Sequence, residues 1–195
     1  IDDSVRKIAT SPDGKLIAIG NGPPTQIMRT KGTSRARRSW RPSVEILDAA
    51  TGKTIASLRL STAAEDKVIA ETAKVSHFEF KALDFSPDGK LLAVGTSIRQ
   101  VKLFDVRTWK VVRSLDDRKA KLAYEKTPES WKSLDRAMGG VAGLTFSPDG
   151  KQLAICGASF ADFARSFDRI SRLTRSVTGP GRVKVWDVAS GEMKY

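Results

Sequence analysis

The stretch Phe-Ser-Pro-Asp-Gly-Lys-Leu-Leu-Ala-Val-Gly, residues 85–95, decides the fold of this chain because the sequence repeats it. Its first six residues recur at 146–151, and a copy that begins with threonine stands at 10–15. A chain built from one repeated unit presents surface by stacking its units, which favours binding over catalysis. Each copy is followed by a short apolar run that ends in glycine, at residues 16–20, 91–95 and 153–157.

The Ser-Pro-Asp-Gly segment predicts a tight turn. Proline presets φ for the first central position, aspartate bonds to its own backbone, and glycine accepts positive φ. Apolar residues on both sides make each copy a hairpin, and a second hairpin follows it in each unit. The first arms of these second hairpins alternate in period two, as half-buried strands do, at residues 44–48, 101–105 and 183–187. Each unit is therefore predicted to hold four short antiparallel strands.

Four-stranded antiparallel units in series are typical of the blades of a β-propeller. The units resemble the WD-repeat family: Trp186-Asp187 is the dipeptide that names it, and Phe104-Asp105 and Leu47-Asp48 are looser equivalents. The resemblance implies an all-β fold and a function as an interaction scaffold without catalysis.

The predicted organisation is one partial propeller over residues 1–195, with blades at 1–60, 78–115 and 141–195. Ten residues hold repeated structural positions in it, and the aspartates among them are explained by turns: Asp13, Gly14, Asp48, Asp88, Gly89, Asp105, Asp149, Gly150, Trp186 and Asp187.

The second unit departs from the pattern in its second turn. Glycine stands there in the other units, at Gly52 and Gly191, but this unit has Trp109. Because a bulky residue disfavours positive φ, we predict a different turn at this point.

Three units are too few to close a propeller, which needs about four to eight blades. The third unit stops just inside its fourth strand, at the stub 193–195, and open ends would expose unpaired strand edges. Either the chain is a segment of a longer propeller, which the cut ends favour, or copies of it assemble into a ring.

The added length lies in connections that open on one face of a propeller, since the tight turns leave no room for it. The insertion 21–43 in the first unit carries six basic residues and no acidic one. The insertion 158–182 in the third unit has phenylalanines at helical spacing and arginines on the opposite side, before a Gly-Pro-Gly stop. Short helices are expected on this face. Such a helix either packs on the propeller itself or contacts a membrane or partner.

The net charge is +12, and these two insertions contribute +9 of it. A basic face predicts an acidic partner, which is a protein surface, RNA or DNA, or anionic lipid. The aromatic residues do not form the stacking series of single-strand binders, but contact with a nucleic-acid backbone stays open. Ten residues are predicted to contact the partner or anion: Arg29, Lys31, Arg35, Arg37, Arg38, Arg41, Arg165, Arg169, Arg172 and Arg175.

Nothing in the sequence predicts catalysis. The single histidine and the single cysteine cannot form a zinc site by themselves, and no phosphate-binding loop, nucleophile elbow or kinase motif is present. We therefore expect no catalytic residue, metal or cofactor in this chain, and an enzymatic propeller would need groups from other blades.

Cys156 falls in a predicted strand, where a small buried hydrophobe is the simpler interpretation. One thiol is compatible with a reducing, cytoplasmic location. The sequence has no apolar run long enough to form a transmembrane helix.

The predicted function is therefore a non-catalytic scaffold that binds an acidic protein through its basic face. The alternative is binding of a nucleic acid or another polyanion through the arginine-rich insertions.

Overall fold

A computed structural model describes residues 5–21, 43–59, 80–96, 101–115, 140–158 and 182–195. Within these ranges every regular element is a β-strand, which confirms the all-β class there. The predicted helical insertion 158–182 lies outside the described residues, apart from one strand residue at each end. The strands are β1 (Val5–Thr10), β2 (Leu16–Asn21), β3 (Ser43–Asp48), β4 (Thr54–Arg59), β5 (Phe80–Phe85), β6 (Leu91–Thr96), β7 (Val101–Asp105), β8 (Val111–Leu115), β9 (Gly140–Phe146), β10 (Gln152–Ala158) and β11 (Arg182–Asp187).

Each repeat unit forms one antiparallel sheet in which strands that follow each other in the chain pair with each other. The first sheet has the order β1-β2-β3-β4, the second β5-β6-β7-β8 and the third β9-β10-β11. Four strands per unit are thus confirmed for the first two sheets. In the third sheet the stub occupies the start of a fourth position, because Met193 bridges Trp186 and the Val185 amide donates to the Tyr195 carbonyl oxygen at 2.8 Å.

The sheets pack in chain order through two apolar cores, with β1 against β5 and β5 against β9. The second sheet takes part in both cores, so its strand β7 is buried on both faces and loses the usual alternation. The core between the first and second sheets holds Ala18, Val44, Ile46, Leu58, Phe85, Leu92, Val94 and Phe104. The core between the second and third sheets holds Ala82, Ala93, Val101, Leu103, Leu115, Val141, Phe146, Leu153 and Trp186.

The second and third sheets approach each other closely at Gly95 on β6. A methyl group added at Gly95 would lie 2.6 Å from Cγ1 of Val141 and 3.1 Å from Cδ2 of Leu144, both on β9. Carbon atoms prefer separations of about 3.5–4.0 Å. Glycine at this position therefore sets the spacing of the two sheets.

The pairing of β10 corrects the alignment of the third apolar run. Cys156 pairs with Val183 on β11 as Gly95 pairs with Val101 on β7. The position of Gly95 is therefore taken in the third unit by Cys156 and not by Gly157. The Cys156 residue is half-buried, so it is less enclosed than the sequence interpretation supposed.

The turn between β7 and β8 follows the common pattern, and the prediction of a different turn is wrong. Trp109 has a φ of 55°, close to the 67° of Gly52 and the 73° of Gly191. The Trp109 amide donates to the Asp105 carbonyl oxygen at 2.7 Å, and the Gly52 amide donates to that of Asp48 at 2.8 Å.

The side chain of Trp109 explains why tryptophan is tolerated there. It is half-buried against the core between the first and second sheets. A left-handed conformation costs a residue with a side chain about 1–2 kcal/mol. Burial of a large apolar side chain contributes about 1.5–3 kcal/mol when complete, so packing of the indole offsets the backbone strain.

We expect Gly95→Ala to lower the free energy of unfolding by about 1–3 kcal/mol, because the added methyl group overpacks the junction. Val141→Gly removes the Val141 atoms that this methyl group would meet. The double variant should therefore lose less stability than the two single variants together. Urea unfolding of the four proteins measures the coupling, and strictly additive losses would contradict the role given to this contact.

Trp109→Gly and Trp109→Ala remove the same packing, but only glycine relieves the left-handed backbone. We expect the glycine variant to be more stable by about 1 kcal/mol in thermal or urea unfolding. Gly52→Ala is the matched control, since a methyl group there meets nothing within 4 Å and adds backbone strain alone. Equal stability of the two Trp109 variants would rule out strain at this turn.

Candidate interaction surface

The turn between the first two strands of each sheet is held by a serine and an aspartate. In the second sheet the Ser86 hydroxyl donates to Oδ1 of Asp88 at 2.7 Å and accepts the Leu91 amide at 2.9 Å. The Lys90 amide donates to the same Asp88 oxygen at 3.0 Å. Serine supplies both a donor and an acceptor here, and buried Ser86 is thereby satisfied. Ser11 with Asp13 and Ser147 with Asp149 make the same bonds.

The second turn of each sheet lies beside the first and is capped by its own aspartate. In the second sheet Oδ1 of Asp105 accepts the amide and the hydroxyl of Thr108 at 2.8 and 2.9 Å. The Val106 amide donates to the Lys90 carbonyl oxygen at 2.9 Å and so links the two turns. Ala49 with Lys15 and Val188 with Lys151 form the same link in the other sheets.

The turns of neighbouring sheets line up on one face, which we call the turn face. An ideal Cβ on Gly89 would lie 3.8 Å from Cδ of Pro12, and one on Gly150 would lie 3.6 Å from Cδ of Pro87. The Ser-Pro-Asp-Gly turns of the three sheets therefore stand in a row. Charges of both signs occur on this face, and pairs such as Lys90 with Asp88 are exposed and contribute little to stability.

The opposite ends of the strands define a second face, which we call the insertion face. Because the strands are antiparallel, the chain leaves and re-enters each sheet at this end after every tight turn. The strand ends that flank the connections 22–42, 60–79, 97–100, 116–139 and 159–181 all lie here. The two predicted basic insertions are attached at this face, at Asn21 and Ser43 and at Ala158 and Arg182.

Hydrogen bonding lowers the pKa of the turn aspartates below the ordinary value of 3.8. The serine hydroxyl is the largest cause for Asp13, Asp88 and Asp149. The threonine hydroxyl is the largest cause for Asp48 and Asp105.

Asp187 is the most strongly affected of these aspartates. The Ser190 amide, followed by the ammonium group of Lys194, lowers its pKa to about 2. Carboxylates that stay ionised and bonded within their own turns are structural groups. Over the described ranges, no cluster of His, Cys, Asp or Glu could hold a metal ion.

The two sets of residues singled out in the sequence fall in different parts of the chain. The ten residues predicted to contact a partner or anion, from Arg29 to Arg175, all lie outside the described residues. Of the repeated positions, the six aspartates lie in the tight turns described above. Trp186, which precedes Asp187, is 6% exposed in the core between the second and third sheets.

Sequence reasoning missed two side chains that join the second sheet to the third. The guanidinium of Arg113 on β8 donates to the Ser190 carbonyl oxygen at 2.6 Å and to that of Ala189 at 2.5 Å. Oδ2 of Asp84 on β5 accepts the Phe146 amide at 2.9 Å. Neither residue belongs to a repeated motif, so no pattern in the sequence could have marked it.

A third missed residue, Asn21, lies at the insertion face. Asn21 ends β2 and is 6% exposed, and its Oδ1 has no hydrogen-bond partner among the described residues. A buried carbonyl oxygen without a partner is costly. Asn21 lies where the basic insertion of the first unit begins. Its Oδ1 can therefore accept a hydrogen bond at this point of the insertion face.

Comparison with known proteins adds one match. Residues 38–127 match the family model described as the anaphase-promoting complex subunit 4 WD40 domain. This range includes β3 and β4 of the first sheet and the whole of the second sheet. No curated protein matches the chain. In the part of the chain that the structure describes, no helix is long and apolar enough to cross a membrane.

Asp187 should make stability depend on pH. Its folded pKa of about 2 lies below the ordinary 3.8, so the stability it contributes is present above pH 3.8 and is lost as the pH falls toward 2. Asp187→Asn keeps an oxygen for the Ser190 amide but does not titrate. We therefore expect the stability difference between the original chain and this variant to shrink across that interval, as thermal unfolding at successive pH values can measure. A difference that stays constant with pH would exclude this origin.

Proposed function

Because the chain belongs to the WD-repeat family, we propose that it is a protein-interaction module that binds through its insertion face. WD40 domains are generally protein-interaction modules and usually non-catalytic scaffolds. The family property does not specify which face binds, so the proposal for the face depends on the geometry of the sheets.

The distribution of connections supports the insertion face and carries the proposal. On the turn face, serine, threonine and aspartate side chains are engaged in hydrogen bonds within the turns. Each longer connection is attached at the opposite end of the sheets. Variable connections on a rigid scaffold are where binding residues concentrate. The proposed binding surface is therefore formed by the insertions, supported by the strand ends beneath them.

The charge of the insertions supports an acidic protein as partner. The insertion 21–43 has six basic and no acidic residues, and 158–182 has five arginines and two aspartates. Arginine forms paired hydrogen bonds with carboxylates and is less strongly hydrated than lysine, which suits protein interfaces. In contrast, the turn face carries basic and acidic side chains in pairs, such as Lys90 with Asp88 and Lys15 with Asp13.

The density of arginine also favours a second candidate, which is a nucleic acid or other polyanion. Arg35, Arg37 and Arg38 lie within four residues of one another. Phosphate contacts of this kind depend on counterion release, so affinity for RNA or DNA should fall steeply as salt rises.

Charge reversal on each face separates these possibilities. We expect Arg35→Glu, Arg37→Glu and Arg38→Glu together to reduce binding of a fluorescent poly-glutamate peptide at least tenfold, because carboxylates lose their partners. The matched control reverses three turn-face lysines, Lys53, Lys110 and Lys151, and should leave binding within about twofold. Fluorescence anisotropy of the three proteins measures this.

The same titrations with labelled RNA at rising salt test the second candidate. Tighter binding of RNA than of the peptide, with a steep salt dependence, would favour the polyanion function. Equal losses in the two triple variants would mean that overall charge and not the insertion face governs binding, which would contradict the proposal.

A further inference from the structure

The outer edges of the two contacts between sheets are built from different side chains. We call the contact between the first and second sheets the first junction, and that between the second and third sheets the second junction. At the second junction Arg113 on β8 lies against the turn that follows β11, where it donates to the Ala189 and Ser190 carbonyl oxygens. An ideal Cβ on Gly191 in that turn would lie 2.8 Å from Cδ and from Nη1 of Arg113. The arginine therefore occupies the space that a side chain at position 191 would need.

The strand register identifies the residues that hold these two positions at the first junction. Ala56 on β4 holds in the first sheet the register position that Arg113 holds in the second. Trp109 holds in the second sheet the turn position that Gly191 holds in the third, and both have positive φ. Ala56 and Trp109 both pack against the core of the first junction. The first junction thus combines a small strand residue with a large turn residue, and the second combines a large strand residue with a small turn residue.

This exchange of size distinguishes correct neighbours from wrong ones. If the second sheets of two copies packed on each other, Arg113 would meet Trp109, and two large side chains would compete for one space. If the first sheet packed directly on the third, Ala56 would meet Gly191 and leave space unfilled. Overpacking and unfilled space both destabilise a close-packed contact.

We propose that these two pairs, Ala56 with Trp109 and Arg113 with Gly191, determine which sheets of this chain become neighbours. The repeat creates the need for such a device, because similar sheets offer similar apolar surfaces and wrong assembly is a characteristic failure of repeat proteins. An indole at position 191 would also displace the guanidinium of Arg113 from the two carbonyl oxygens. Size and hydrogen bonding therefore select the same pair.

A double-mutant cycle in urea unfolding tests the pair at the second junction. Arg113→Ala should destabilise the original chain, because two hydrogen bonds to backbone carbonyl oxygens are lost. The same change should stabilise the Gly191→Trp chain, because it makes room for the indole as Ala56 does at the first junction. We expect a coupling of at least about tenfold in the unfolding constant, within the range for residues in contact.

Gly52→Trp is the matched control for Gly191→Trp. Both changes place tryptophan in a left-handed turn, with φ of 67° and 73°, but a Cβ on Gly52 would meet nothing within 4 Å. Gly191→Trp should therefore lose more stability than Gly52→Trp, and Arg113→Ala should not improve the Gly52→Trp chain. Gly191→Ala and Gly52→Ala give the same comparison with a smaller group if the tryptophan variants do not fold.

Refolding tests whether the pairs select neighbours. Arg113→Ala with Gly191→Trp gives both junctions the same arrangement of small and large residues. Adding Ala56→Arg and Trp109→Gly makes the two junctions different again, with their arrangements exchanged. After dilution from urea at rising protein concentration, light scattering on a sizing column measures the fraction whose mass differs from that of the never-unfolded protein. We expect this misassembled fraction to be larger for the double variant than for the original chain, and to return to the original value in the fourfold variant.

Three results would overturn the proposal. Additive effects of Arg113→Ala and Gly191→Trp would show that the two positions do not compete for one space. Equal losses in Gly191→Trp and Gly52→Trp would leave backbone strain as the only cause. Equal misassembled fractions in the double variant and the original chain would show that the outer edges do not select neighbours. Circular dichroism of each variant establishes that the sheets are folded.

Discussion

Apolar contact between successive sheets is the interaction on which this structure depends. A short antiparallel sheet with two apolar faces cannot be stable with both of them in water. Strand β7 shows the consequence, because Leu103 faces the third sheet and Phe104 faces the first, and both are buried. Loss of either neighbour would expose one of these side chains, at a cost of about 1.5–3 kcal/mol for each large residue. Stability is therefore shared between neighbours, as in other repeat proteins.

The turn aspartates have a different role, which is to fix the register within each sheet. Their hydrogen bonds are local and at most partly buried, so each contributes modestly. A slip of one residue in the strand pairing would move every apolar side chain of the strand to the wrong face. The hydrogen bonds of the aspartate favour one turn conformation, which fixes the pairing and prevents this slip. At Trp109 the turn hydrogen bonds and the contacts between sheets act together. The hydrogen bond to Asp105 and the core beside the indole together hold a backbone conformation that tryptophan disfavours by itself.

The sequence was sufficient to predict the repeat, the strands and the tight turns, because period-two alternation and Ser-Pro-Asp-Gly act locally. It was insufficient where the outcome depends on contacts between sheets. The prediction of a different turn at Trp109 rests on residue type alone and is wrong. The alignment of Cys156 with Gly95 becomes visible only from the strand register. Arg113 and Asp84 bind backbone atoms 62 to 77 residues away, and such contacts leave no local pattern. The predicted binding arginines lie outside the described residues and remain a prediction.

The two ends of the sheets are under different constraints, and this difference makes the insertion face suited to binding. At the turn face, extra residues would break the hydrogen bonds that link neighbouring turns of one sheet, such as the bond from the Val106 amide to the Lys90 carbonyl oxygen. At the insertion face, longer connections leave the turn bonds and both cores unchanged, and each doubling of a flexible loop adds only about 0.6 kcal/mol of closure entropy. New contacts can therefore be added there at little cost to the fold. The Oδ1 of Asn21, which has no hydrogen-bond partner among the described residues, lies at this end, where a donor from a neighbouring connection or a partner can satisfy it.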